Sequence, residues 1–234
     1  MTNQGPYADP SLVDIHTPIM VNPDRKPFND EPFGYSALAW HNWGIELTKA
    51  GFALDRHGFP TSRDLKNPIL WLSHASALSV AALTLTRTVP TWAHMPVTAR
   101  NMCDSQFCAV SLMLIGYSLE VCLKAMSLIL LGDVAYESKE DQFKHHKLVE
   151  LAKLVPSLTP KDKVILKLLT HFTLWAGRYP DPGSKYVADT KQIFELSNRE
   201  QITFGEVLTL AAKIMKHTQV LADASPASPL GSNV

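Results

Sequence analysis

The chain has 234 residues, and its 22 Lys and Arg side chains balance its 22 Asp and Glu side chains. A formal net charge of zero excludes the strongly basic surface that drives tight, non-specific binding to nucleic acids, although it leaves room for a local basic patch. Hydrophobic residues make up 46% of the chain, which is ordinary for a soluble globular protein and enough for a sizeable core.

The cysteines and the N-terminal sequence predict a cytoplasmic protein. Cys103, Cys108 and Cys122 are odd in number and form no C-x-x-C motif. This pattern favours reduced, buried thiols over a framework of disulfide bonds. The first residues of the chain lack the basic region and the apolar stretch of a secretory signal peptide.

One apolar segment, residues 107–131, has the length of a membrane span. Glu120 and Lys124 would then lie near the middle of the bilayer, where each costs about 2.5–3.5 kcal/mol on insertion scales. No other segment resembles a span, so we expect no membrane insertion.

The chain begins with a proline-rich arm, residues 1–34. Prolines at positions 6, 10, 18, 23, 27 and 32 exclude regular helix there. The composition of residues 223–234 is typical of a disordered tail. Between them, residues 35–222 are predicted to form a helical bundle.

Helical periodicity dominates the first half of this bundle. A helix is predicted over residues 35–56, and a second follows Pro68 and continues to residue 87, because proline is tolerated in the first turn. Two prolines interrupt residues 88–96. A long helix then begins at residue 99 or 105 and ends at Leu131, with Gly132 as its C-terminal cap.

The second half begins with a polar loop at 133–143, followed by a short amphipathic helix within 145–155. Capping signals at residues 159–162 predict the start of a helix that ends at Gly177. Residues 178–186 are rich in turn formers, and capping-box spacing at 203–206 begins the last helix. Because no alternating apolar and polar runs are present, the sequence predicts an all-α helical bundle.

The long helix carries a narrow polar strip in apolar surroundings. The strip comprises Gly116, Glu120, Lys124 and Ser127, at spacings of three and four residues. One interpretation is an exposed edge, where an ion pair between Glu120 and Lys124 is worth about 0.2–0.5 kcal/mol. The other is an internal strip, and a buried carboxylate of this kind requires partners.

Two partners are predicted for a buried Glu120. Arg178 ends the penultimate helix and can bind a carboxylate through two parallel hydrogen bonds. The short helix that follows His146 is the second. We therefore expect Glu120 and Lys124 to bind Arg178 and the His146 helix inside the bundle.

Three motifs occur in a characteristic order: GYSLEVCLKA, HHKLVELAKLV and LWAGRYPDP. Together they resemble the HEPN superfamily of small helical bundles over roughly residues 105–220. The matching positions are Tyr117, Glu120, Lys124, His146, Leu148, Leu151, Arg178, Tyr179 and Pro180.

This resemblance implies two kinds of function. Many HEPN proteins are metal-independent ribonucleases that act as dimers, with an Arg followed four to six residues later by a His that acts as acid or base. Here no His follows Arg178 at that distance. The spacing does occur between Arg87 and His94, but before the long helix and interrupted by Pro90.

The resemblance therefore leads us to expect a non-catalytic, homodimeric module. It would bind a protein partner, RNA or a nucleotide, in a bacterial defence or toxin–antitoxin context. One alternative is a metal-independent ribonuclease with Arg178, Arg87 or His94 as candidate catalytic residues. Another is a structural protein in which the polar cluster only fixes packing.

Candidate binding residues follow from the motifs. They are Glu120, Lys124, His146, Trp175, Arg178, Tyr179 and Asp181. No cofactor is expected, because glycine-rich nucleotide loops are absent from the sequence. No metal is expected either, because neither H-x-x-x-H nor H-E-x-x-H occurs.

Overall fold

A computed structural model of the chain describes residues 25–49, 54, 61, 64–181, 183 and 187–225. These residues contain helices and no β-strand, which confirms the predicted all-α class. The chain divides into two compact units, one of Met1–Lys66 with Pro229–Val234 and one of Asn67–Ser228.

The first unit contains helices α1 (Lys26–Asp30) and α2 (Pro32–Lys49) and a 3₁₀ turn at Asp64–Lys66. The prediction that prolines exclude helix throughout residues 1–34 is therefore wrong. Pro27 lies in the first turn of α1 and Pro32 is the first residue of α2. A helix tolerates proline there because the first backbone N–H groups have no partner within the helix.

Several predictions fall on residues that the structure does not describe. Residues 1–24 of the arm, residues 50–53 and 55–56 of the first predicted helix, and residues 226–234 of the tail lie outside the described part. The predicted tail begins two residues too early, because residues 223 and 224 still belong to the last helix.

The second unit is a bundle of helices of very different lengths. They are α3 (Pro68–Arg87), α4 (Val97–Leu131), α5 (Asp133–Ser138), α6 (Leu148–Leu151), α7 (Pro160–His171), α8 (Val187–Glu200) and α9 (Phe204–Ala224). A π-turn, Phe172–Ala176, continues α7, and 3₁₀ turns occupy Glu140–Gln142 and Ala152–Leu154.

Local signals set the helix ends as predicted. Pro68 begins α3, and Gly132 ends α4 with a positive φ of 75° that favours glycine. Thr159 and Thr203 each form a capping box at the start of α7 and α9. These ends confirm the predicted boundaries because each depends on residues within one turn.

Two lysines connect the capping boxes of α7 and α9. Lys161 pairs with Glu206, and Lys213 lies 3.0 Å from the carboxylate of Asp162. Burial raises the pKa of Asp162, but hydrogen bonds from the Thr159 backbone and Lys213 outweigh it and hold this pKa below its usual range. The bond from Lys161, with that from the Thr203 backbone, likewise lowers the pKa of Glu206. The two charge pairs hold the N-terminal end of α7 against the first half of α9.

Helix α4 is the centre of the core. Its buried part runs from Ser111 to Leu128, and it packs against α3, α6, α7, α9 and the π-turn. The predicted apolar face of the short helix is confirmed, because Leu148, Leu151, Ala152 and Val155 are all buried. A charged side chain within this stretch of α4 must therefore find its partners inside the protein.

Two segments differ from the prediction. Residues 133–143, predicted as a polar loop, contain α5, whose Tyr136 is 3% exposed and stacks on Phe143 with the ring centroids 4.8 Å apart. Helix α8 lies in residues 187–202, to which the sequence assigned no element. Its apolar residues are few, and it packs against α7 through Ile193, which is 8% exposed.

Two helices of the described residues are long and apolar enough, by length and composition, to cross a membrane. In α4, 67% of the apolar window is buried inside the protein. In α3 only 11% of the corresponding window is buried, at a mean hydropathy of 1.5. The expectation that no second segment has this composition is therefore wrong.

The three cysteines are free thiols, in agreement with the absence of a disulfide framework. The prediction that they are buried holds only for Cys122, whose pKa is raised by its burial. Cys108 is exposed and Cys103 is partly exposed, because both lie in the part of α4 that precedes the core.

Candidate functional site

Glu120 lies on α4 and is only 2% exposed. Its Oε1 is 2.7 Å from the Nζ of Lys124, one turn further along the helix, and its Oε2 is 2.7 Å from the Nδ1 of His146. Both carboxylate oxygens therefore have a partner. The three residues form one unit, here called the Glu120 cluster, and the interpretation of Glu120 as an exposed edge is wrong.

The backbone ahead of α6 places His146 in this cluster. The backbone N–H of Leu148 donates a hydrogen bond of 3.1 Å to Oγ1 of Thr170 on α7, and the Leu148 side chain is fully buried. These contacts anchor the chain two residues after His146. The His146 side chain remains 48% exposed.

The Glu120 cluster orients one imidazole. Because the Glu120 carboxylate accepts from Lys124 and can accept from a ring N–H, the contact assigns the Nδ1–H tautomer to His146 and leaves Nε2 as the other ring nitrogen. No described residue bonds to Nε2. The arrangement resembles the carboxylate and histidine of a catalytic triad, but no hydroxyl of a described residue is hydrogen-bonded to the ring as a nucleophile would be.

The polar strip predicted on α4 does not continue beyond the Glu120 cluster. Gly116 is buried against Thr173 of the π-turn, and a Cβ placed on it would overlap the Thr173 hydroxyl oxygen. Ser127 is fully buried and donates its hydroxyl to the carbonyl of Leu123 within the same helix. Each end of the strip therefore serves the packing of α4.

Four predicted binding residues lie together in residues 175–181, here called the Arg178 segment. The carbonyl of Trp175 accepts the backbone N–H groups of both Arg178 and Tyr179, which turns the chain sharply after the π-turn. Arg178 is exposed, and its guanidinium carbon lies 5.6 Å from the centre of the Tyr179 ring. Asp181 is exposed and accepts the N–H of Gly183.

The predicted contact between Arg178 and Glu120 is not formed. Glu120 already has two partners, and Arg178 pairs with no carboxylate of the described residues. Gly177 packs against Met113, seven residues before Glu120, so the Arg178 segment meets α4 about 10 Å from it along the helix axis. The structure thus separates the predicted site into two groups.

His171 and Trp175 connect the π-turn to the bundle. The indole N–H of Trp175 donates a hydrogen bond of 3.1 Å to Nδ1 of His171, and the two rings meet edge to face at 4.5 Å. His171 and Trp175 are four residues apart, a spacing that brings two side chains together on a helix and could have predicted this contact. Burial lowers the pKa of His171, and the charge of Asp189 opposes this shift only in part. His171 is therefore held neutral.

We expect acid to weaken the bundle through His171. Its pKa is lower in the folded chain than its unfolded value of about 6.5, so the unfolded chain binds more protons and stability falls as the pH drops below that value. Urea unfolding at pH values between 5 and 7.5 measures this slope.

The matched variants are His171→Gln, which should flatten the slope below pH 6.5, and His94→Gln, which should not. His94 is exposed in the connection after α3. An unchanged slope in His171→Gln would contradict the assignment of the shift to this residue.

The early candidates for catalysis are not joined to each other. Arg87 is the last residue of α3 and is exposed, and the His94 ring lies against Trp92 with centroids 6.3 Å apart. No hydrogen bond or ring contact links the two within the described part of the chain.

Among the described residues, no group of three His, Cys, Asp or Glu side chains is arranged to hold a metal ion. The described unit is thus an all-α bundle with an internal Glu–Lys–His cluster and a separate exposed arginine at the end of its π-turn. Comparison of the chain with protein-family models, curated proteins and solved structures finds no match.

Proposed function

We propose that this chain is a non-catalytic helical module that binds RNA or a nucleotide through the Arg178 segment. The observation that supports the proposal is an exposed guanidinium that no described carboxylate neutralises, next to a Tyr179 ring that is 57% exposed. A guanidinium binds phosphate through two parallel hydrogen bonds, and an exposed ring can stack on a base.

The surroundings of Arg178 favour binding over cleavage. A ribonuclease of the type that the motifs resemble needs a histidine beside the arginine. His171 is buried and its Nδ1 is occupied by Trp175, while His146 is bound to Glu120 about 10 Å away along α4. Neither histidine forms a hydrogen bond or ring contact with Arg178, and this supports binding over cleavage.

Fluorescence anisotropy with a labelled single-stranded RNA of mixed sequence, and with a labelled nucleotide, tests the proposal. We expect affinity to fall as salt rises, and Arg178→Ala to weaken binding about tenfold, as expected for a lost charge-assisted phosphate contact. The matched control is Arg199→Ala, because Arg199 is 71% exposed but already pairs with Glu200. This control should bind like the natural chain.

Two results would overturn the proposal. Equal affinity in Arg178→Ala and the natural chain would show that the Arg178 segment is not the binding site. No binding of either probe would favour a protein partner or a purely structural role instead. Metal-free incubation with the same RNA separates binding from cleavage. Cleavage that is lost in Arg178→Ala, with the fold intact, would make the chain a ribonuclease.

A further inference from the structure

A cavity of about 220 Å³ lies between α4, α7, α8 and α9, apart from the Glu120 cluster. Its walls are mostly aliphatic and aromatic, including Leu112, Leu168 and Ile193, and none of its lining residues carries a charge. Pockets that bind small molecules are concave and mostly apolar, with few polar groups, and this lining has that character.

The cavity reaches the protein surface. Two of its lining residues, Phe194 and Phe204, are 61% and 39% exposed. Aromatic rings at the mouth of an apolar pocket are typical of sites for small molecules. An occupant can therefore enter without unfolding of the bundle.

The cavity also touches the π-turn. Phe172 is the first residue of that turn and lines the cavity, and its ring meets His171 edge to face at 6.0 Å. The pocket therefore adjoins the backbone that leads from the end of α7 to the Arg178 segment.

Size and polarity define the occupant. A dry apolar cavity of roughly 150 Å³ holds one benzene molecule, so scaling to this volume gives an apolar body of about nine carbon atoms. Ser197 and Thr203 contribute hydroxyls to the lining. Thr203 is engaged with Glu206 in its capping box, whereas the Ser197 hydroxyl has no hydrogen bond to a described residue.

We propose that this cavity is a binding site for a neutral, apolar molecule of the size of two fused rings, with one group that hydrogen-bonds to Ser197. The occupant packs against Phe172 and so supports the π-turn that leads to the Arg178 segment. The proposal does not depend on RNA or nucleotide binding, because it concerns a different surface and a different chemistry.

Equilibrium dialysis of the full chain against indole and against naphthalene tests this site. Both probes have about the right size, and only indole carries an N–H donor. We expect saturable binding of one molecule per chain. Ser197→Ala should weaken indole about fivefold, as for one lost hydrogen bond, and leave naphthalene unchanged.

Variants that fill the cavity provide the decisive comparison. Ser197→Phe on α8 and Val207→Phe on α9 should each weaken both probes about tenfold or more, because the new ring occupies the site. Val220→Phe is the matched control, because Val220 lies on α9, is 56% exposed and does not line the cavity.

Circular dichroism shows whether each filling variant folds. Because the two variants lie on different helices, the comparison can still be made if one of them does not fold. No binding of either probe by the natural chain would overturn the proposal. Equal binding by a folded filling variant and by Val220→Phe would also overturn it. An equal loss of indole and naphthalene binding in Ser197→Ala would overturn the role of the hydroxyl.

Discussion

Replacement of Lys124 by methionine is expected to lower the free energy of unfolding by about 2 kcal/mol, because it removes one of the two partners of a buried carboxylate. The side chains of Glu120 and Lys124 are 3% and 15% exposed, so water replaces the lost contact only in part, and His146 remains as the single partner of Glu120. Urea unfolding of the two proteins measures the difference.

Two comparisons identify the cause. The double variant with Glu120→Leu and Lys124→Met should recover most of the lost stability, because no buried charge remains. Lys191→Met is the matched control, since Lys191 is 81% exposed and faces Glu195 at the same four-residue spacing. It should change the stability by less than about 0.5 kcal/mol. A Lys124→Met variant as stable as the natural chain would contradict the importance of the buried pair.

Gly116→Ala should destabilise the chain by about 2 kcal/mol through overpacking. The expected sign is unusual, since replacing glycine by alanine inside an exposed helix normally gains up to about 1 kcal/mol. A Cβ on Gly116 would overlap the Thr173 hydroxyl and lie 3.0 Å from the carbonyl of Leu169. Thermal and urea unfolding report the effect.

Gly205 supplies the matched control for this substitution. It lies in the first turn of α9 and is exposed, and a Cβ there would lie 3.9 Å from the Thr203 hydroxyl oxygen, which is an ordinary contact distance. Gly205→Ala should therefore be neutral or stabilising. Adding Thr173→Ala to Gly116→Ala should restore part of the loss. If Gly116→Ala stabilised the chain, the close contact between α4 and the π-turn would be wrong.

The sequence by itself determined the all-α class and several helix ends of the described part. Pro68, Gly132 and the two capping boxes act within one turn of the chain, so their effect can be predicted without knowledge of the neighbours. The pairing of Glu120 with Lys124 also follows from local spacing, since four residues bring side chains together on any helix, but the sequence left open whether the pair is exposed or internal.

Where a local pattern was weak, the tertiary structure decided. Helix α8 has few apolar residues, and its Ile193 is buried because the helix packs against α7. Likewise, residues 133–143 are polar in sequence, but Tyr136 within them is buried and stacks on Phe143. Both elements depend on burial that only the assembled bundle provides.

Only the tertiary structure decided which partners Glu120 has. His146 lies 26 residues away in the chain and reaches Glu120 because α6 is anchored on α7. Arg178 is not part of the Glu120 cluster, because Gly177 packs against α4 about two turns nearer the start of that helix. The apolar cavity also arises from the spacing between four helices. Contacts between distant residues follow from how the helices pack, and packing depends on the shapes of all the side chains together.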